Sequence, residues 1–242
     1  AASGNYNLFT TTNATYDPTL HVEDCTVDAA YNVVYDSHNT QNFQKIYFGN
    51  SIVKMTVANK PFYSTKAKDA HTQQLIRLDN NVFYAETPLQ NYLINCGDRS
   101  QAFQTTRLQV EVTNNTIYNI YQPNIMIRAY VLAGLTVTKN VGYYTGVTAK
   151  NYLTGVYDTA GFTADKAEVT YNYLYTAPVS DTNFWSAKHT GSYTPANNQM
   201  GDGVEAPFSS MDAAKGYFPV DASVVKTGAG ATYDTKAWFK TE

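Results

Sequence analysis

Cysteine is nearly absent from this sequence, and long apolar runs are absent altogether. Cys25 and Cys96 are the only cysteines, so no disulfide scaffold holds the chain together. The two remain open to two readings: buried free thiols, a common fate of free cysteine, or one disulfide. No stretch of about 18 apolar residues is present to span a bilayer, and no signal peptide is visible. Charge is also scarce. Charged residues make up 15% of the chain and the formal net charge is −3, which removes the electrostatic case for nucleic acid or an acidic membrane surface. Helical periodicity is lacking. Tyrosine, asparagine and threonine are abundant instead, a composition that suits a secreted or surface protein with polar, uncharged faces.

The asparagines are placed oddly. "VEVTNNTIYNI" (Val110 to Ile120) and "LIRLDNNVFYA" (Leu75 to Ala85) each carry an Asn-Asn pair inside an alternating, strand-like stretch, although asparagine is a poor strand former. Anchoring on Asn81 and Asn115 gives weaker copies anchored at Cys25, Asn50, Asn140 and Asn172. Successive anchors lie 25, 31, 34, 25 and 32 residues apart. Three positions before the anchor stand Val22, Tyr47, Leu78, Val112, Val137 and Val169. Five before stand Leu20, Lys45, Ile76, Val110, Leu135 and Ala167. Two after stand Val27, Ile52, Phe83, Ile117, Gly142 and Leu174. Apart from Lys45 and Gly142 these columns are apolar. The intervening columns, containing His21, Ile46, Arg77 and Glu111, or Glu23, Phe48, Asp79 and Thr113, are mostly polar. Period-2 alternation predicts a half-buried strand leading into each anchor.

A strand, a bend and further short strands repeated about every 25–35 residues fit the coils of a solenoid. Asparagine tolerates the left-handed backbone of a bend. Coils stacked in register place Asn over Asn, so that each amide bonds the next. Residues 1–17 read as a degenerate first unit with Asn13 as its anchor, and residues 18–177 as six clearer ones. Residues 178–242 are richer in Gly, Pro, Ser and Asp; "SYTPANNQMGDG" (Ser192 to Gly203) reads as loop. This segment is expected to pack on the coils or cap them within the same domain. The start, "AASGNYNLF", reads as a processed or trimmed end, with the expectation of a preceding segment or N-terminal domain.

The laddered coils resemble right-handed parallel β-helix proteins of the pectate lyase-like superfamily. Pro207-Phe208, Gly216-Tyr217 and Gly228-Ala229-Gly230 are similar to the closing segment of many bacterial β-helix proteins, and the likeness is closest to domains of unassigned function in Bacteroidetes surface lipoproteins linked to polysaccharide utilisation. The resemblance implies an all-β fold, a single-stranded right-handed parallel β-helix with a non-repetitive C-terminal segment. It also implies export to a bacterial periplasm or outer surface, with lipid anchoring as one form. The expected partner is a polysaccharide or oligosaccharide, bound by a monomer; no nucleic acid is expected.

The sequence departs from the lyases at their chemistry. It has four arginines, Arg77, Arg99, Arg107 and Arg128, and no acidic triplet with ligand spacing. His38, His71 and His189 are scattered without metal-ligand spacing. "GAGAT" (Gly228 to Thr232) lacks the Lys-Ser/Thr of a phosphate loop and reads as a turn. The outward columns supply the candidate glycan-binding residues His21, Glu23, Phe48, Arg77, Asp79 and Glu111. Phe48 fits a sugar-stacking platform or, more simply, a filler of the strand ladder; Arg77 fits a carboxylate clamp, although Arg77 and Glu111 also fit a cross-strand ion pair. No catalytic or metal residue is assigned and no cofactor is expected; calcium enters only with a lyase. The expected function is a non-catalytic glycan-binding or scaffold module. The alternatives are a lyase or hydrolase of pectin-like glycans and a trimeric adhesin or tailspike-like β-helix.

Overall fold

The computed structural model describes residues 7–9, 19–30, 32–36, 43–56, 62–64, 75–90, 92–96, 108–121, 127–129, 133–144, 152–156, 167–176, 183–185, 196–201 and 206–233. Asn13, His38, His71, His189, Arg99 and Arg107 lie outside the described residues. Among those described there is no helix.

The strands come in triplets. The first three repeats hold β1 (Asn7–Phe9), β2 (Thr19–Glu23) and β3 (Thr26–Ala30); β4 (Asn32–Asp36), β5 (Lys45–Gly49) and β6 (Ile52–Met55); and β7 (Phe62–Ser64), β8 (Leu75–Asp79) and β9 (Val82–Gln90). Next come β10 (Ile94–Cys96), β11 (Gln109–Thr113) and β12 (Thr116–Tyr121), then β13 (Ile127–Ala129), β14 (Gly134–Thr138) and β15 (Val141–Tyr144). The chain continues through β16 (Tyr152–Val156), β17 (Ala167–Thr170) and β18 (Tyr173–Thr176) to β19 (Asn183–Trp185) and β20 (Gln199–Met200). Through β19, every third strand returns to the same sheet. Sheet A runs from β1 to β19, sheet B from β2 to β17 and sheet C from β3 to β20, each in repeat order. All strand pairings within them are parallel.

Alternation explains which side chains go inward. In β8, Ile76 and Leu78 are buried while Arg77 is exposed. Their neighbours in register, Val110 and Val112 and then Leu135 and Val137, are buried too. These sheet B columns share one core with Phe62, Ile94 and Cys96 of sheet A and Val53, Phe83 and Ile117 of sheet C. Each of those apolar side chains contributes roughly 1.5–3 kcal/mol by leaving water.

The second repeat sits one residue away from its predicted register. Glu23 pairs with Gly49 and Gly49 with Asp79. Ile46 and Phe48 are therefore buried in the core, and Lys45 and Tyr47 take the outward positions. Val53, not Ile52, fills the inward place two after the anchor. A one-residue slip sends every side chain to the opposite face. Phe48 is thus a core residue, not a sugar platform.

The Asn-Asn pairs divide two tasks between them. The first residue takes the left-handed backbone: Asn80 at φ 55°, Asn114 at φ 56°, with Asp24, Asn50, Lys139, Tyr171 and Asn197 equivalent in other repeats. The second forms the ladder. Oδ1 of Asn115 accepts from the backbone N–H of Asn81 at 2.9 Å and from its Nδ2 at 3.0 Å. The same two bonds link Asn115 to Asn140, Asn140 to Asn172, and Asn172 to Asn198. Each Nδ2 also donates to a main-chain carbonyl of the preceding repeat, as from Asn81 to Phe48 at 2.8 Å and from Asn140 to Val112 at 2.7 Å. Each amide between Asn81 and Asn172 thus has both ends satisfied in the interior, which removes the cost of burying it.

Asn50 is not in this ladder. Ser51 holds that position: its N–H donates to Asn81 Oδ1 at 2.9 Å, and its hydroxyl oxygen accepts from the Cys25 N–H at 3.1 Å. Asn50 stands in the corner column, where its Nδ2 donates to Asp24 and its Oδ1 accepts from Asn80 Nδ2. Cys25, half-buried at the end of the ladder, donates its thiol to the Glu23 carbonyl. Cys96 is buried in sheet A, and burial pushes its thiol pKa far up. Both cysteines are free, which decides between the two readings of the pair.

The repeat also continues beyond residue 177. β19 and β20 extend sheets A and C, Ala196 makes a parallel bridge to Thr170 of sheet B, and Asn198 extends the ladder. The stretch read as loop from Ser192 therefore contains a further rung. The non-repetitive part, from Ala206 to Tyr233 among the described residues, packs on the outward face of sheet C. Phe208, Phe218, Val225, Ala229 and Ala231 cluster there with Ile52, Val82, Tyr84 and Tyr143. Its Gly-Ala-Gly stretch follows a turn and bends at Gly230, with Gly228 at φ 65° and Gly230 at φ 105°. The segment is fastened by Gly230 N–H to the Lys139 carbonyl at 2.8 Å, Ala231 N–H to Thr116 Oγ1 at 3.0 Å and Thr232 N–H to Asn80 Oδ1 at 2.8 Å. Tyr143 and Tyr144 are both buried, Tyr143 beneath this segment and Tyr144 in the core.

Candidate functional site

The outward faces of sheets B and C differ. Sheet C is covered by the C-terminal segment, whereas sheet B presents charged and hydroxyl side chains. Strand register builds two columns on sheet B. One runs His21, Tyr47, Arg77, Glu111, Thr136 and Glu168; the other runs Glu23, Gly49, Asp79, Thr113, Thr138 and Thr170. Five of the six predicted glycan-binding residues, His21, Glu23, Arg77, Asp79 and Glu111, are thus brought onto one face. Phe48 is not among them.

Tyr47 occupies the centre that the sequence reading missed. A Cβ at Gly49 would stand 2.5 Å from the Tyr47 hydroxyl oxygen, 2.8 Å from Cζ and 2.9 Å from Cε1. The outer half of the ring therefore lies over Gly49, across the sheet surface, and any side chain at position 49 would displace it. The His21 ring meets Tyr47 edge-on, with centroids 4.4 Å apart. Glu23 and Asp79 flank Gly49 in register on either side. Partial burial, followed by the negative charge of Glu23 and Asp79, raises the Tyr47 phenol pKa above its ordinary value, so the ring remains a neutral phenol.

The charges around it are largely committed to one another. Arg77 Nε donates to Glu111 Oε2 at 2.5 Å, and this bond holds the guanidinium pKa above its usual range. The cross-strand ion pair is thus the realised alternative for Arg77. Glu111 also accepts from Gln109 Nε2 at 2.7 Å. Asp79 Oδ1 accepts from Thr113 Oγ1 at 2.5 Å and Asn114 Nδ2 at 3.1 Å. Further along, Thr138 and Thr170 share a hydroxyl hydrogen bond of 3.2 Å.

No family model, curated protein or solved structure matches this chain. The chemistry of the face must be read from its own side chains. Among the described residues no group of three His, Cys, Asp or Glu is placed to hold a metal ion. The face offers a flat aromatic ring, carboxylates two strands apart, a neutralised arginine and a row of threonine hydroxyls. Such a set can stack against a ring and accept hydrogen bonds from hydroxyl groups.

One signal in the sequence could have found Tyr47. Lys45 stood in an otherwise apolar column, and moving that repeat by one residue removes the exception: Ile46 and Phe48 turn inward and Lys45 and Tyr47 outward.

Proposed function

We propose that this chain is a right-handed parallel β-helix that serves as a non-catalytic glycan-binding module. The three-sheet return of the strands supports the architecture, and right-handed crossovers are the near-universal solution for parallel connections. In this reading the protein is exported to a bacterial periplasm or cell surface, as its likeness to Bacteroidetes surface lipoproteins implies. It works there in polysaccharide capture as a monomer.

The observation that carries the glycan reading is the Tyr47 ring laid over Gly49 between Glu23 and Asp79. Aromatic rings join a broad apolar surface to a polar edge at small entropic cost, and ligand sites combine apolar walls with a few fixed polar groups. Affinity electrophoresis through gels containing soluble polysaccharides tests this. The expected result is retardation of the wild type by at least one polysaccharide and free migration of Tyr47→Ala. If no gel retards the wild type, the glycan reading fails.

A further inference from the structure

We infer that the Tyr47 site accepts a neutral pyranose of a polysaccharide and discriminates against uronates. This deepens the glycan-binding reading and rests on it. Positive charge near Gly49 decides this. Lys45 also faces outward on β5, but it stands four residues from Gly49, on the far side of Tyr47. A uronate carboxylate is best met by a bidentate arginine, and Arg77 is the arginine on this face among the described residues. Its Nε is already held by Glu111. A uronate recruiting Arg77 through its Nη groups must share that cation with Glu111. It must also enter beside Asp79 and Glu23, where like charges repel. Repulsion at an exposed site is screened by salt, so discrimination is greatest at low ionic strength.

The same carboxylates suit hydroxyl groups. An ionised carboxylate only accepts, and a neutral sugar presents a ring of O–H donors. Both side-chain hydrogen bonds that Asp79 receives from described residues end on Oδ1, leaving Oδ2 as an acceptor. Glu23 is exposed, with its Oε2 3.4 Å from His21 Nε2. The two carboxylates flank the notch that Gly49 leaves in its column, and the Tyr47 ring is the floor of that notch. One pyranose stacked through its C–H face on Tyr47 can direct hydroxyls to both sides. The specificity lies in Gly49 as much as in Tyr47, because the equivalent places on later strands carry Asp79, Thr113, Thr138 and Thr170.

The test is isothermal titration at low and at high salt with two sets of probes: neutral cello-, manno- and xylo-oligosaccharides, and oligogalacturonates. Variants are Tyr47→Ala and Gly49→Thr; the second places a residue common in this column where it displaces the ring, and suits a strand. Circular dichroism melting confirms that each is folded. The expected result is binding of at least one neutral probe, at least tenfold tighter than any oligogalacturonate at low salt, and weakened at least tenfold in both variants. Oligogalacturonates binding as tightly or more tightly, with the same loss in the variants, would overturn the neutral preference and leave the glycan site standing. Neutral binding unchanged in both variants would remove the site. Binding of neither set would remove the glycan reading and this inference together.

Discussion

Asn80 and Asn81 are the same residue type one position apart, yet their substitutions should behave differently. Asn80 is in the left-handed region, and its side chain bonds Asn50 and Thr232 near the surface. Glycine adopts that backbone without strain, so Asn80→Gly loses exposed and half-buried bonds, a cost of roughly 1 kcal/mol. Asn81 is fully buried, and its Oδ1 is the acceptor for the Ser51 N–H. Removing it orphans that donor and takes away the Nδ2 bonds to the Phe48 carbonyl and Asn115 Oδ1, and an orphaned buried group costs about 1–3 kcal/mol. Asn81→Gly is therefore expected to cost on the order of 3 kcal/mol or more, read as a fall in the urea midpoint. Equal midpoints for the two variants would contradict this division of labour. At Asn198, near the end of the ladder, the corresponding loss should be smaller.

The C-terminal segment is the element that makes sheet C possible. Parallel sheets are usually covered on both faces, and the outward side chains of sheet C include Val82, Val141 and a stack of Tyr118, Tyr143 and Tyr175, with successive centroids 5.5 and 4.8 Å apart. Phe218 lies on that stack, its ring 4.4 Å from Tyr118, and is fully buried. Phe218→Ala should cost about 3–5 kcal/mol. The loss is expected to appear first as detachment of the segment, because the core beneath does not include it. Increased dye binding and altered tyrosine fluorescence before the main unfolding transition would report this; one unchanged, simultaneous transition would argue against it. This element was only partly legible in the sequence. Continuous apolar runs such as "VFYA" and "VGYY" do mark strands covered on both faces, but nothing local says which segment covers them. The inward columns were legible because alternation is a local property of each strand. The register of the second repeat was not, because Ser51 replaces the ladder asparagine and Asn50, one residue earlier, was taken as its equivalent. The same error put Phe48 on the surface and hid Tyr47. Asn198 was hidden by the loop-like composition around it.

At the scale of the whole molecule, stacked repeats contact chiefly their neighbours, so the sheet B face is a continuous surface assembled from several distant stretches of chain. If the protein acts as a monomer, size exclusion with light scattering should return a single-chain mass; a stable trimer would instead favour the adhesin or tailspike alternative. Catalysis is the sharper question for this face. Glu23 and Asp79 stand two strands apart, about 9–10 Å at ordinary strand spacing, close to the upper limit for an inverting glycosidase pair. Such a pair needs its interval to hold an attacking water beside the sugar. Here the Tyr47 ring lies over Gly49 in that interval. Uronate elimination asks for a base and a cation at the carboxylate, and Arg77 is held by Glu111. The expected outcome is no turnover of pectin, polygalacturonate or neutral polysaccharides above a buffer control, with or without calcium. Unsaturated product is followed by absorbance and new reducing ends by colorimetry. Sustained turnover that disappears in Glu23→Gln or Asp79→Asn would convert this face from a binding surface into an active site.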